Sequence, residues 1–383
     1  MTEHRLDEAG AIDLLERLVA TPSPSRQERA AVGLLVDWMA ERGLAAAPDE
    51  AGNAVGVRGT GSREILLLGH IDTFPGTVPV RRDGRLLYGR GAVDAKGPLA
   101  AFAAAAAAVT PPPDWRIRVV GAVEEECTTS RGARHIVASR QQSPPPEAVI
   151  IGEPSRWDRI ALGYRGSVEL RLALRAPFGH SAGPSRLPAE RAVELWQAVQ
   201  DYIDLHNRER DGGEFNRFAA ALRSIRTRDA GSFGEASLRL GLRLPPGASL
   251  AALQRGLRSS LRERVRGWQA AGADMAVRFR GGQEAWRGAK SSSVVRAFLH
   301  AIRKEQGEPR FVVKTGTADV TIVAPAWPST PMAVYGPGDG ALDHTPDEHL
   351  DLDEFARSIR VLMRVLEELM LCPSSISRTD RCD

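Results

Sequence analysis

The chain has 383 residues, 43% of them hydrophobic and 26% charged, which excludes a disordered, collagen-like or coiled-coil protein. That length exceeds the roughly 250 to 300 residues at which a single core stops growing, so at least two domains are expected. A formal net charge of +3 argues against a dedicated nucleic-acid binder, and no apolar run approaches the roughly 20 residues that cross a membrane.

The N-terminus, Met1-Thr2-Glu3-His4, carries acid and lacks a hydrophobic signal core, so a cytoplasmic enzyme is expected. Apolar residues at helical spacing predict helices near 11–20 and 25–42, the second through Val32, Leu35, Trp38 and Met39. Short apolar runs at 64–68, 116–120 and 148–151 read as buried strands of an α/β sheet, with an Ala-rich helix starting near Pro98. In open sheets of this kind ligands collect at the carboxyl ends of the strands.

From Gly163 the texture changes. Residues 167–174 and 237–244 alternate strictly, as half-solvated antiparallel strands do, and 275–280 reads as another strand. A helix over 249–268 sets Leu253, Leu257, Leu261 and Val265 on one stripe, with Arg258, Arg262 and Arg266 beside it. Beyond Gly282 come a helix near 292–306, a strand at 332–335, a final helix near 353–370 and a frayed tail over 372–383. The expected architecture is an α/β catalytic domain (1–162 and 283–383), with a central mixed sheet flanked by helices, and an inserted two-layer α+β domain (163–282).

Charge is unevenly spread: between Arg223 and Lys290 stand 14 Lys and Arg against 5 Asp and Glu. One segment thus carries the basic character of the chain. It also reflects an arginine bias of the whole chain, 47 Arg against 4 Lys, and a charged stripe is commonly a solvated face.

Candidate chemistry sits at the strand ends. Gly69-His70-Ile71-Asp72 follows the 64–68 run; on an extended segment His70 and Asp72 point the same way, so a carboxylate can fix the imidazole tautomer for metal binding, or the two form an ordinary hydrogen-bonded pair. Gly89-Arg90-Gly91-Ala92-Val93-Asp94-Ala95-Lys96-Gly97 delivers Asp94 just before a helix, as a ligand or as an N-cap. Glu124-Glu125-Glu126 would repel one another unless a cation compensates or the turn is solvated. Gly152-Glu153-Pro154 and Asp343-His344-Thr345-Pro346-Asp347-Glu348 complete five acid or His sites, the supply for a hard-ligand, two-metal centre. Three scattered cysteines, Cys127, Cys372 and Cys382, supply neither a thiolate site nor a disulfide framework.

In order and wording these motifs, with Gly179-His180-Ser181-Ala182 in the inserted domain, resemble the metallohydrolases of the acetylornithine deacetylase, succinyl-diaminopimelate desuccinylase and carboxypeptidase G2 family over residues of about 65 to 350. The resemblance implies two zinc ions per chain, with cobalt as an alternative. His70 and Glu153 would hold one and Glu126 and His344 the other, with Asp94 bridging. It implies that Asp72 orients His70 and that Glu125 is the general base. A register shifted by one, with Glu124 as base and Glu125 as ligand, stays open. It further implies a homodimer through the inserted domain, in which His180 reaches the active site of the other subunit to stabilise the oxyanion.

Lys314-Thr315-Gly316-Thr317-Ala318-Asp319, Leu162-Gly163-Tyr164-Arg165-Gly166 and Thr129-Ser130-Arg131-Gly132-Ala133-Arg134 resemble the branch of that family that releases lysine, or ornithine, from the C-terminal Glu side chain of a small acidic amino-group carrier protein in lysine and arginine biosynthesis. Ala318 departs from the Ser of many relatives. On this resemblance Asp319 is a candidate for the substrate ε-amine and Arg287 for its carboxylate. The alternatives are a small-molecule N-acyl amino acid deacylase, a dipeptidase, and a non-catalytic binding protein on the same fold. No nucleic-acid or membrane partner is expected.

Overall fold

The computed structural model describes residues 6–127, 129–177 and 187–371. They fall into two compact units, one of Met1–Leu162, Gly288–Val312 and Ala318–Asp383, the other of Gly163–Arg287 and Val313–Thr317. His180 and residues 372–383 lie outside the described residues. The second unit runs past 282 because Trp286 and Arg287 pair with Tyr164 and Gly163, and it takes in 313–317 because the Arg165 amide and guanidinium donate to the Gly316 and Thr315 carbonyls.

In the first unit, hydrogen bonding orders the sheet as Ala45–Pro48, Ala54–Arg58, Trp115–Ala122, Arg63–His70, Ala148–Gly152, Met332–Val334 and the start of Arg159–Tyr164. The middle four strands, Trp115–Ala122 to Met332–Val334, are parallel; the flanking pairings are antiparallel. Glu64 to His70 are all buried, as a strand covered on both faces requires. The Lys96–Ala108 helix is buried from Lys96 to Ala106, on every side, so alanine replaces an amphipathic stripe. Small residues let it lie close to the strands: a Cβ at Gly69 would meet Leu99 at 3.3 Å, and one at Gly152 would meet the Phe102 ring at 2.9 Å. This packing seats the helix start, and Asp94 just before it, at the carboxyl ends of the parallel strands.

The helix expected from 25 starts only at Arg29. Arg26 has φ 77°, and the Glu28 carboxylate accepts its amide at 2.7 Å, so 25–28 form a turn. A small sheet of Arg81–Asp83, Leu86–Tyr88 and His349–Asp351 flanks the loop that carries Asp94.

The second unit is a four-stranded antiparallel sheet in the order Ala219–Ala230, Phe233–Leu244, Gly166–Pro177, Asp274–Gln283. One face, with Leu170, Leu172, Leu238 and Leu240, is covered by the Pro188–Asn207 and Leu250–Ala270 helices. Leu253, Leu257, Leu261 and Val265 are the buried stripe of the latter. Ala219–Ala230 is absent from the sequence-based expectation because it is exposed along most of its length and shows no clean alternation.

The basic stripe expected beside Leu257 is only partly free for a partner. Arg258 donates to the Val277 carbonyl at 2.7 Å and lies over Phe279, so it packs the helix on the sheet, whereas Arg262 and Arg266 are exposed. The opposite sheet face is also rich in arginine: Arg278, Arg171 and Arg239 stand abreast on three neighbouring strands, with Arg226 and Arg228 alongside; Arg171 and Arg239 pair with Glu169 and Arg228 with Glu235. Among the described residues no helix of this unit packs on that face.

Candidate metal centre

Each of the four parallel strands delivers a polar group at its carboxyl end. His70 closes Arg63–His70, Glu125 and Glu126 follow Trp115–Ala122, and Glu153 follows Ala148–Gly152. His344 comes from the loop beyond Met332–Val334, past the turn Gly340–Leu342. Asp94 arrives from the glycine-rich loop ahead of Lys96–Ala108.

These residues form two groups that share Asp94: His70, Asp94 and Glu153, and Asp94, Glu126 and His344. Within each group, one candidate ligand atom per residue lies within 4.8 Å of the others. His70 Nε2 is 3.2 Å from Asp94 Oδ1 and 3.9 Å from Glu153 Oε1. His344 Nε2 is 3.0 Å from Asp94 Oδ2 and 3.0 Å from Glu126 Oε1. One carboxylate thus turns a different oxygen to each histidine.

Asp72 is wholly buried behind His70. The Nδ1 of His70 lies 2.9 Å from the Asp72 carbonyl oxygen and 3.5 Å from its carboxylate, so the backbone makes the shorter contact. The carboxylate instead accepts the Glu125 and Glu126 amides, both at 3.0 Å, and the Ser25 hydroxyl at 2.7 Å. Asp72 therefore fixes the histidine and the acidic turn together, a double role that the His-x-Asp spacing alone did not show. Phe74, also unmarked by the sequence, stacks on the His344 ring at 4.1 Å and 14°.

Of the three consecutive acids, Glu126 reaches His344, while Glu124 points elsewhere. Its carboxylate meets Thr129 Oγ1 at 2.6 Å, Arg131 at 3.6 Å and Arg26 at 3.7 Å. Glu125 lies in the field of His70, Glu153, Asp319 and Glu126. Asp319, buried at the start of the Val320–Ala326 helix, has an Oδ1 with no hydrogen-bond partner among the described residues. Arg287 belongs to the second unit, where its guanidinium lies over Phe215.

The electrostatics are those of an uncompensated acid cluster. Burial, reinforced by neighbouring carboxylates, pushes Glu125 and Glu153 well above the usual carboxylate range against the pull of His70. Burial likewise pushes Asp319 up to about 7. Burial would also raise Asp94, but hydrogen bonds from His344 and His70 hold it low. His344 is raised to about 10 by Asp94 and Glu126; burial tends to lower His70, and Asp72 and Asp94 overcome it. In a chain with 47 arginines, no arginine pairs with Asp94, Glu125, Glu126 or Glu153 among the described residues. Two imidazoles and a bridging carboxylate among carboxylates with no side-chain cation beyond the histidines are a donor set that fits divalent ions.

Residues 66–368 match the model of peptidase family M20/M25/M40. The chain is 41% identical over 369 residues to a [LysW]-lysine hydrolase of Deinococcus radiodurans, covering 95% of this chain and 98% of that protein. It is 35% identical to a putative [LysW]-lysine/[LysW]-ornithine hydrolase of Thermococcus kodakarensis, covering 94% and 92% of the two chains. Among solved structures it is similar to an M20 family metallo-carboxypeptidase from Sulfolobus solfataricus, with a TM-score of 0.75 at 16% identity over 94% of this chain and 99% of the other. Human carnosine dipeptidase 1 is similar in fold as well, with a TM-score of 0.74 at 16% identity over 95% and 97%.

Proposed function

Because the chain belongs to peptidase family M20/M25/M40, we propose that it is a two-metal amide hydrolase releasing lysine, or ornithine, from the C-terminal Glu side chain of a LysW-type amino-group carrier protein. The observation that carries the chemistry is Asp94, which turns one carboxylate oxygen to each histidine and so joins two ligand groups into one centre. The substrate rests on the 41% identity to the Deinococcus radiodurans enzyme along nearly the whole of both chains.

In this reading His70 and Glu153 hold one zinc ion, Glu126 and His344 the other, and Asp94 both, with cobalt able to substitute. The ions, when bound, lower the pKa of water and polarise the scissile carbonyl. Glu125 takes the proton from the attacking water and gives it to the nitrogen of the leaving amine as the C–N bond breaks. Asp72 sets the His70 ring and, through the two amides, the aim of Glu125 and Glu126. Asp319, a buried acid whose Oδ1 has no hydrogen-bond partner among the described residues, is the proposed partner of the substrate ε-amine, and Arg287 that of its carboxylate. His180 acts from the second copy of a homodimer as an oxyanion donor.

The carrier's docking surface is proposed on the open sheet face around Arg278 and Arg226, beside the Arg171 and Arg239 that pair with Glu169, rather than on the Arg262 and Arg266 stripe. Complementary charge there speeds encounter and sets orientation. No helix among the described residues is long and apolar enough to cross a membrane. The test is to measure lysine release from the charged carrier alongside acetate release from acetylornithine. Release from the carrier alone is expected; turnover of acetylornithine alone overturns the substrate, and turnover of neither overturns the hydrolase reading. Metal analysis of the purified chain should return about two divalent ions.

A further inference from the structure

The acidic turn has a backbone that demands support. Glu124, a non-glycine residue, sits at φ 62°, in the left-handed region that L side chains avoid unless their surroundings hold them there. The holding groups are side-chain acceptors on four consecutive amides. Val123 donates to Asn53 Oδ1 at 3.0 Å, Glu124 to Glu28 Oε1 at 3.2 Å, and Glu125 and Glu126 to the two oxygens of Asp72. Asn53 is fully buried and Glu28 nearly so. Asn53 is itself pinned, its Nδ2 donating to Asp49 Oδ2 at 2.8 Å and to the Gly132 carbonyl at 3.3 Å.

The Asp94 loop is held by the same device. Glu348, fully buried, accepts the Val93 and Asp94 amides on Oε1 at 3.0 and 3.1 Å. Its other oxygen takes Arg90 Nη1 at 2.6 Å, and its own carbonyl takes the Gly89 amide. Backbone amides carry partial positive charge and must be satisfied when buried. A buried acceptor across two or more of them therefore fixes where the following side chains point.

We propose that Glu28, Asn53 and Glu348 are positioning residues: by capturing the backbone amides of the Val123–Glu126 and Val93–Asp94 segments they aim Glu125, Glu126 and Asp94, and so set the spacing of the two metal subsites. The part that concerns metal rests on the two-metal reading above; the aiming of the loops does not.

The experiment compares Glu28→Gln and Glu348→Gln, which keep an acceptor oxygen, with Glu28→Leu and Glu348→Leu, which remove it. Two readouts are taken: backbone amide exchange in metal-free protein, and cobalt(II) affinity with its absorption spectrum. The Leu variants should speed exchange at residue 124 or at 93–94 and weaken cobalt binding about 10- to 100-fold with an altered spectrum, while Glu28→Gln stays within about threefold of the parent and Glu348→Gln, which keeps the acceptor for the two amides but turns an NH2 to Arg90, falls between the parent and Glu348→Leu. Folded Leu variants with parental exchange and parental cobalt affinity overturn the proposal. If the Leu variants do not fold, Glu28→Asp and Glu348→Asp, which withdraw the acceptor by one methylene, are held to the same two readouts, and parental values there overturn it equally. A parent protein that binds no cobalt would sink the two-metal reading, yet the exchange result would still decide whether these residues aim the loops.

Discussion

Two buried glutamates in the two units show opposite behaviour. Glu153, in the first, lies among other carboxylates, and burial drives its pKa well up. Glu169, in the second, would also be raised by burial, but Arg239 at 2.9 Å and Arg171 beside it bring it below the usual value. The chain has arginine to spare, and it withholds it from the first group. A buried acid neutralised by guanidinium is finished structure, whereas buried acids left with only imidazoles and one another form a donor set that fits a divalent cation.

The largest expected effect tests that contrast directly. Glu125→Gln should lower kcat by about 10³-fold, within the range of lost general-base catalysis, while metal content by elemental analysis stays at the parental level. Loss of metal instead would return Glu125 to the role of ligand and revive the shifted register. Glu169→Gln should leave kcat unchanged.

Next come the two cores. Leu67→Ala, on the central strand of the first unit, and Leu240→Ala, on the inserted sheet, each remove a side chain with no exposed surface. Each should cost about 3 kcal/mol. Scanning calorimetry should assign each loss to the transition of its own unit; equal shifts of every transition by either substitution would show that the units melt as one.

Charge reversal on the open sheet face is expected to matter less. Arg226→Glu with Arg278→Glu should reduce kcat/KM for the charged carrier by about tenfold at low salt, shrinking as salt rises, and leave turnover of a small amide substrate unchanged. A reduction of equal size for both substrates would remove that face from docking.

The smallest effect concerns Glu169 itself. Its folded pKa lies below the unfolded value near 4.5, so its contribution to stability is complete above that pH and fades as pH falls through the folded pKa. Urea titrations should show Glu169→Gln less stable than the parent by about 1 kcal/mol at pH 7, with the gap closing in acid. A gap that widened in acid would contradict the ion-pair account.

Much of this molecule is legible in one dimension, for identifiable reasons. The runs at 65–68 and 148–151 are continuous and apolar because their strands are covered on both faces, and alternation at 167–174 marks a sheet covered on one. Ala219–Ala230 escaped because an exposed strand imposes no hydrophobic period. His70, Asp94, Glu153, His344 and the Glu124-Glu125-Glu126 run could be picked out by residue type at the ends of predicted elements, and the family resemblance supplied their roles.

Which acid of Glu124-Glu125-Glu126 faces His344 could not be read from adjacency. Side-chain direction there follows from the left-handed turn at Glu124, held by Asn53 and Glu28 from distant parts of the chain. The sequence by itself determined the inventory: buried strands, a helix of alanines, and acids and imidazoles waiting at strand ends, all consequences of local pattern and composition. The family resemblance already implied a bridging Asp94; only the tertiary structure decided which of its oxygens faces each histidine and that Asp72 grips a turn 53 residues away. Hydrogen-bond geometry between segments remote in sequence depends on how the sheet and helices pack, and no local period encodes it.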